Sequence, residues 1–173
     1  MISYVRTILA GQFEASLAML DQCVRRCPEA HWDGKVARYP FWEIAYHTLH
    51  FADLYLSPGE EAFQPRDFPP AGLAALDDIF EQEFPSLHLD KPELLAYAAV
   101  CRRKATETLA AETVESLQRA SGFSWLPFTR GELHIYNIRH IQHHGGQLSA
   151  YLRRVDATLQ GRNALRWVKT GWG

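Results

Sequence analysis

The chain predicts an all-α fold: a four-helix bundle with a long crossover connection between helices 2 and 3. Three observations predict it. Four stretches place apolar residues at the i, i+3/i+4 spacing of a helix that buries one face. No run alternates cleanly between apolar and polar residues, and hairpin turn dipeptides are missing, so strand signals are nearly absent. Between the second and third stretches lie about 33 residues rich in proline and aromatics, enough chain to cross a bundle rather than turn back at once.

The first helix is expected over residues 2–27, where Val5, Ile8, Leu9, Phe13, Leu17, Leu20 and Val24 follow helical spacing. Pro28 ends it, because proline lacks the amide hydrogen that a helix interior needs. The second is expected over 40–57, opened by Pro40 and closed by Ser57-Pro58-Gly59. Apolar residues from Phe41 to Leu56 cover most of its circumference, which marks a buried helix. Its polar exceptions are Glu43, His47, Thr48, His50 and Asp53. Glu43, His47 and His50 are spaced i, i+4, i+7 and form one narrow stripe, facing either water or a functional seam in the bundle interior. Within the long connection, Leu73, Leu76, Ile79 and Phe80 suggest a short helix over 71–84. The third long helix is expected over 91–111, with Asp90 and Glu93 as its start signal and Pro92 in its first turn. The fourth is expected over 130–156. Thr129 and Glu132 make a capping box there, and Leu133, Tyr136, His140, His144, Leu148 and Tyr151 follow at helical spacing.

The 173 residues suffice for a single domain, 1–173, with a real core; residues 156–173 are expected to pack as a tail on the bundle or on a dimer partner. A net charge of −2 and a pI near 6.4 argue against nucleic acid and anionic membrane as partners. No run of about 18 uncharged apolar residues predicts a transmembrane helix, and residues 1–6 lack a signal-peptide pattern, so a cytoplasmic setting is expected. Cys23, Cys27 and Cys101 do not suit a disulfide framework and read as small, half-buried helix residues.

The stretch Arg139-His140-Ile141-Gln142-His143-His144-Gly145-Gly146-Gln147-Leu148 puts three histidines in five residues. At 3.6 residues per turn, His140 and His144 stand one above the other on one face, and His143 points about 100° away. Their face is where a bundle core is expected. A buried imidazole without partners costs on the order of 1–3 kcal/mol. A shared metal ion removes that cost, because it accepts a lone pair from each ring. His47 or His50 on the second helix would supply a third ligand, and a three-histidine site with open positions marks catalytic rather than structural metal. The plain alternative is a set of surface or core histidines with ordinary hydrogen bonds. His31, His88 and His134 show no convergent partners and read as loop or surface residues.

Together with Trp42-Glu43-Ile44-Ala45-Tyr46-His47-Thr48-Leu49, the motif from Asn137 to Leu148 resembles the DinB-like (DinB/YfiT) superfamily of metal-binding four-helix bundles. In that family one ligand histidine lies midway along the second helix, and two more form an H-x-x-x-H pair on the fourth. By position, the resemblance implies His47, His140 and His144 as metal ligands. His50 stands one turn past His47, where the family tends to carry an apolar residue, and is the alternative to His47. Gly145 stands where many members carry arginine. The resemblance also implies a divalent metal, with zinc, nickel, iron and manganese not distinguished, and a homodimer in the cytosol. Characterised members include metal-dependent thiol transferases and a thiol-dependent isomerase, in which the metal lowers the pKa of a low-molecular-weight thiol.

The expected function is therefore that of a divalent-metal-dependent enzyme on a small-molecule substrate, a thiol S-transferase or a related hydrolytic activity. A metal-binding sensor without turnover and a purely structural bundle are the alternatives. Candidate pocket residues are Trp42, Tyr46, Tyr136 and Gln147, with Tyr151 and Trp125 beyond them, although aromatics at helical spacing are more often plain core. Asn137, one turn before His140, can orient a ligand or a bound water. Glu43, one turn before His47, can fix an imidazole tautomer or act as a general base. Arg102, Arg103 and Lys104 read as a solvated face, or else as a contact to a carboxylate of the thiol. Trp167 and Trp172 in the basic tail are expected to pack.

Overall fold

The computed structural model describes residues 1–63, 88–159 and 165–170. Helix α1 spans Ile2–Arg26, α2 Phe41–Leu56, α3 Lys91–Ala111, α4 Val114–Gln118 and α5 Arg130–Val155, so the all-helical patterning is reproduced. The starts of α3 and α5 rest on the anticipated capping boxes. Glu93 N–H donates to Asp90 Oδ1 at 2.8 Å while Asp90 N–H donates to Glu93 Oε2 at 2.7 Å. Thr129 N–H donates to Glu132 Oε2 at 2.9 Å. Thr113 and Ser116 form a third such box at α4, a helix the apolar spacing did not reveal because it is too short to show a period.

The four long helices form a ring in which α1 and α2 each pack against both α3 and α5. Side-chain contacts give the directions. Arg6 reaches Glu112 and Glu14 pairs with Arg102, so α1 and α3 are antiparallel. Leu56 accepts from Arg130, and His47 meets His140, so α2 and α5 are antiparallel. Tyr97 contacts Tyr46, and Thr108 donates to Leu56 O, so α2 and α3 run parallel. Phe13 meets His134, and Cys23 lies beside Gly145, so α1 and α5 also run parallel. The crossover between α2 and α3 and the short helix over 71–84 lie outside the described residues.

Helix α2 is the centre of the core. Fifteen of its sixteen residues are buried, Phe51 being the half-buried one. Phe41 and Leu49 join Phe13, Leu17, Leu20, Ile141 and Leu148 in one cluster. Each such side chain removed from water contributes about 1.5–3 kcal/mol. Leu54 and Tyr55 open a second cluster with Phe123, Leu126 and Leu133. Cys23, Cys27 and Cys101 are buried thiols that form no disulfide with one another, and burial, helped by Cys27, pushes the Cys23 thiol up to about 12. No described helix is long and apolar enough to cross a membrane.

Three expectations are corrected. First, the link between α1 and α2 carries a small hairpin, β1 (Lys35–Val36) against β2 (Tyr39–Pro40). Strands of two residues are too short to show alternation, and the turn is made by Ala37, at φ +57°, rather than by a glycine or asparagine. Second, His134 is neither loop nor surface: it is 0% exposed, its Nε2 is 2.9 Å from Glu112 Oε1, and its ring lies edge-on to Phe13. Its partner stands in a different element, so no spacing on α5 announced it. Third, the basic run on α3 is not one solvated face. Arg102 pairs with Glu14 at 2.6 Å, and Lys104 reaches the buried Asp53 at 2.5 Å; Arg103 is the exposed member.

In the tail, Leu165 is buried in the main core, and Arg166 N–H donates to Gln22 Oε1 on α1 at 3.0 Å. Trp167 is 71% exposed, and Trp172 lies outside the described residues.

Candidate metal centre

Because α2 and α5 are antiparallel neighbours, one residue of α2 can face two residues a turn apart on α5. His47 does so. Its ring centroid lies 5.2 Å from that of His140 and 4.8 Å from that of His144, and those two are 4.6 Å apart. One nitrogen from each ring falls in a set whose members all lie within 4.8 Å of one another. His47 is buried, and His140 and His144 are half-buried.

Burial sets the charge of this cluster. It lowers the His47 imidazole to about 2, with His144 and His140 adding to the effect. His140 falls to about 3 by burial and by His144, and His144 is lowered by burial despite its hydrogen bond to Gln147. All three rings are therefore neutral at pH 7 and carry a lone pair. His144 Nδ1–H donates to Gln147 Oε1 at 2.9 Å, which leaves Nε2 as the lone-pair nitrogen. The Gln147 amide in turn reaches His143 Nε2 at 3.2 Å, and the His143 ring stands edge-on to that of His144, with centroids 5.0 Å apart.

The donor set fits a divalent ion. Two nitrogens on a tetrahedral ion at about 2.0–2.1 Å stand about 3.3 Å apart, and His140 Nε2 is 3.3 Å from His47 Nε2. Phe51, with its ring centroid 4.7 Å from that of His47 and 5.6 Å from that of His140, closes one side with Tyr55. The other side opens on a cavity of about 230 Å³. The hairpin lines it with Val36, Ala37, Arg38 and Tyr39, α2 with Glu43, Ile44 and His47, and α5 with His144 and Gln147.

The sequence model of the DinB superfamily matches residues 12–148, a span that holds all three histidines and the hairpin. The chain belongs to the DinB superfamily. Metal binding is known in the DinB superfamily, and the three clustered histidines of this member suggest a divalent metal. No curated protein and no solved structure matches the chain.

Within this DinB bundle the structure separates the candidate residues. His47, His140 and His144 come together, and Glu43 and Gln147 share the cavity wall with His47 and His144. His50 lies outside the cluster, between Tyr46, Phe51 and Phe63, and burial lowers it to about 4. Asn137 is fully buried, and its Nδ2–H donates to Ala52 O at 3.0 Å, tying α5 to α2 one turn before His140. Trp42, Tyr46 and Tyr136 do not line the cavity. Trp42 packs beside His88, Tyr46 against Tyr97, and Tyr136 against Tyr55 and Phe128. Tyr151 is core, beside Phe41, and Trp125 is 47% exposed.

The hairpin is what sequence reasoning missed. Phe41 N–H donates to Gly34 O at 3.0 Å and Trp42 N–H to Trp32 O at 3.3 Å, so the hairpin is folded against the start of α2. On its other side Gly34 abuts α5 so closely that a Cβ there would come 1.8 Å from the Tyr151 hydroxyl. That close approach is the reason for a glycine, and Arg38 and Tyr39 of the hairpin line the same cavity as His144.

Proposed function

We propose that this DinB-superfamily chain is a divalent-metal-dependent enzyme in which His47, His140 and His144 hold the ion and a small-molecule substrate enters the adjoining cavity. One observation carries the reading: two of the three neutral imidazoles also line the cavity, so the donor set meets a space that a small molecule can enter. When bound, a divalent ion supplies Lewis acidity that lowers the pKa of a coordinated thiol or water.

The chain's own residues do the rest. Burial keeps the three lone pairs free of protons at neutral pH. Gln147 fixes the His144 tautomer, and Phe51 and Tyr55 keep water from the back of the cluster. Glu43 lines the cavity one turn before His47, and in this reading it takes a proton from a nucleophile there. A low-molecular-weight thiol as nucleophile, and hence S-transfer, follows from the family resemblance; hydrolysis uses the same arrangement with water. A cytoplasmic homodimer belongs to the same reading, and light scattering checks the dimer.

The test is metal content of chelator-free protein, followed by metal-dependent conjugation of a thiol panel with monochlorobimane. Wild type is expected to hold stoichiometric metal. His47→Ala and His140→Ala are expected to lose it, and His50→Ala to keep it. Metal-free wild type that also shows no thermal shift with zinc, nickel, iron or manganese would sink the reading.

A further inference from the structure

We infer that the cavity beside the three histidines takes a small molecule with an apolar body and a carboxylate, and that Arg38 selects the carboxylate. This deepens the proposed function and rests on it only for placing the reacting end. Among the described residues that line the cavity, Arg38 is the one fixed positive charge. It is exposed and so marks the outer rim, whereas His47, buried, marks the floor. Its guanidinium has no ion pair with any described residue, and it stands 5.8 Å from the centroid of the Tyr39 ring, which lines the same cavity.

The hairpin that carries Arg38 is bonded to the start of α2 and pressed onto α5 at Gly34, so the guanidinium sits on a braced element rather than a free loop. The cavity wall also carries Val36, Tyr39 and Ile44, which suit an apolar body. A guanidinium matches the two oxygens of a carboxylate. One guanidinium neutralises a monoanion but only half of a dianion, which favours a carboxylate over a phosphate. A ligand gripped at Arg38 thus points its opposite end at His47 and His144. Arg38 is in this sense a specificity-determining residue.

The experiment measures binding of 3-phenylpropionate, 3-phenylpropionamide and phenyl phosphate to the metal-free full-length protein by calorimetry, so that coordination of the carboxylate by metal cannot contribute. Wild type is expected to prefer the carboxylate over the amide by about fivefold to tenfold, a modest factor because Arg38 is exposed. Arg38→Gln is expected to abolish that preference and Arg38→Lys to keep part of it, both with unchanged thermal unfolding. Equal binding of carboxylate and amide, an unchanged preference in Arg38→Gln, tighter binding of phenyl phosphate, or no binding of any probe would each overturn the inference. Metal uptake, measured in parallel, is expected to be the same in Arg38→Gln as in wild type. Carboxylate preference without metal uptake by wild type would end the metal reading and leave this one standing; metal uptake without the preference would do the reverse.

Discussion

What stands opposite a ring decides what a histidine does in this chain. His47, His140 and His144 face one another, His134 faces a carboxylate, and His88 faces Asp33 at the surface. Sequence spacing exposed the pair on α5, because one helix carries both members. It could not expose His134, whose partner Glu112 lies beyond the end of α3. Glu112 is the residue whose charge matters most there. Burial pushes its carboxyl up, but hydrogen bonds from His134, Ser116 and Arg130 outweigh that and bring it down to about 2. The unfolded carboxyl titrates near 4.5, so the unfolded chain binds the proton first as pH falls. The stabilisation is therefore complete above about pH 4.5 and is lost as pH drops toward 2, amounting to about 3 kcal/mol. Thermal melts between pH 6 and pH 2.5 should show this fall in wild type. Glu112→Gln should start less stable and flatten the profile in that window; a parallel profile would show that Glu112 is not its source.

At the level of elements, the starts of α3 and α5 were legible because capping residues announce themselves three positions apart. The buried character of α2 was legible because apolar residues surround it. The hairpin was not, since it depends on Gly34 meeting Tyr151 from another helix. Helix α5 also carries a local weakness at its site. Gly145 and Gly146 follow His144 directly, and a Cβ at either would meet nothing within 4 Å. Glycine inside a helix costs roughly 0.5–1 kcal/mol relative to alanine. Gly146→Ala, on the exposed side, should raise the melting temperature by about 1–4 °C without altering metal content. A lower melting temperature, or lost metal, would mean that α5 needs the glycine for a reason other than space.

For the molecule as a whole, composition and periodicity reveal four helices but not which of them touch. That information lies in side chains that meet only after folding, such as Asp53 with Lys104 and Tyr97. Asp53 is 1% exposed, and Lys104 also donates to Ser57 Oγ at 2.8 Å, so this pair joins the parallel helices α2 and α3. Lys104→Met alone leaves a buried carboxylate without its cation and should cost up to about 3–5 kcal/mol, whereas adding Asp53→Leu should recover much of that loss. Denaturant titrations of the two variants measure the difference, and equal losses in both would show that the pair is not coupled. The same dependence on tertiary contact limited the reading of the site: two ligands were visible on one helix, and the third was carried by resemblance to DinB-like proteins.

His47 and His140 are separated by 93 positions of chain. An ion held between them would act as a reversible cross-link closing a loop of more than half the protein, and detaching either helix would release it. Since such closure restricts the unfolded chain and binding favours the folded one, occupancy and folding would rise and fall together. Metal retention would then serve as a gauge of how much of the population is intact, and free metal concentration would set how long each molecule stays so.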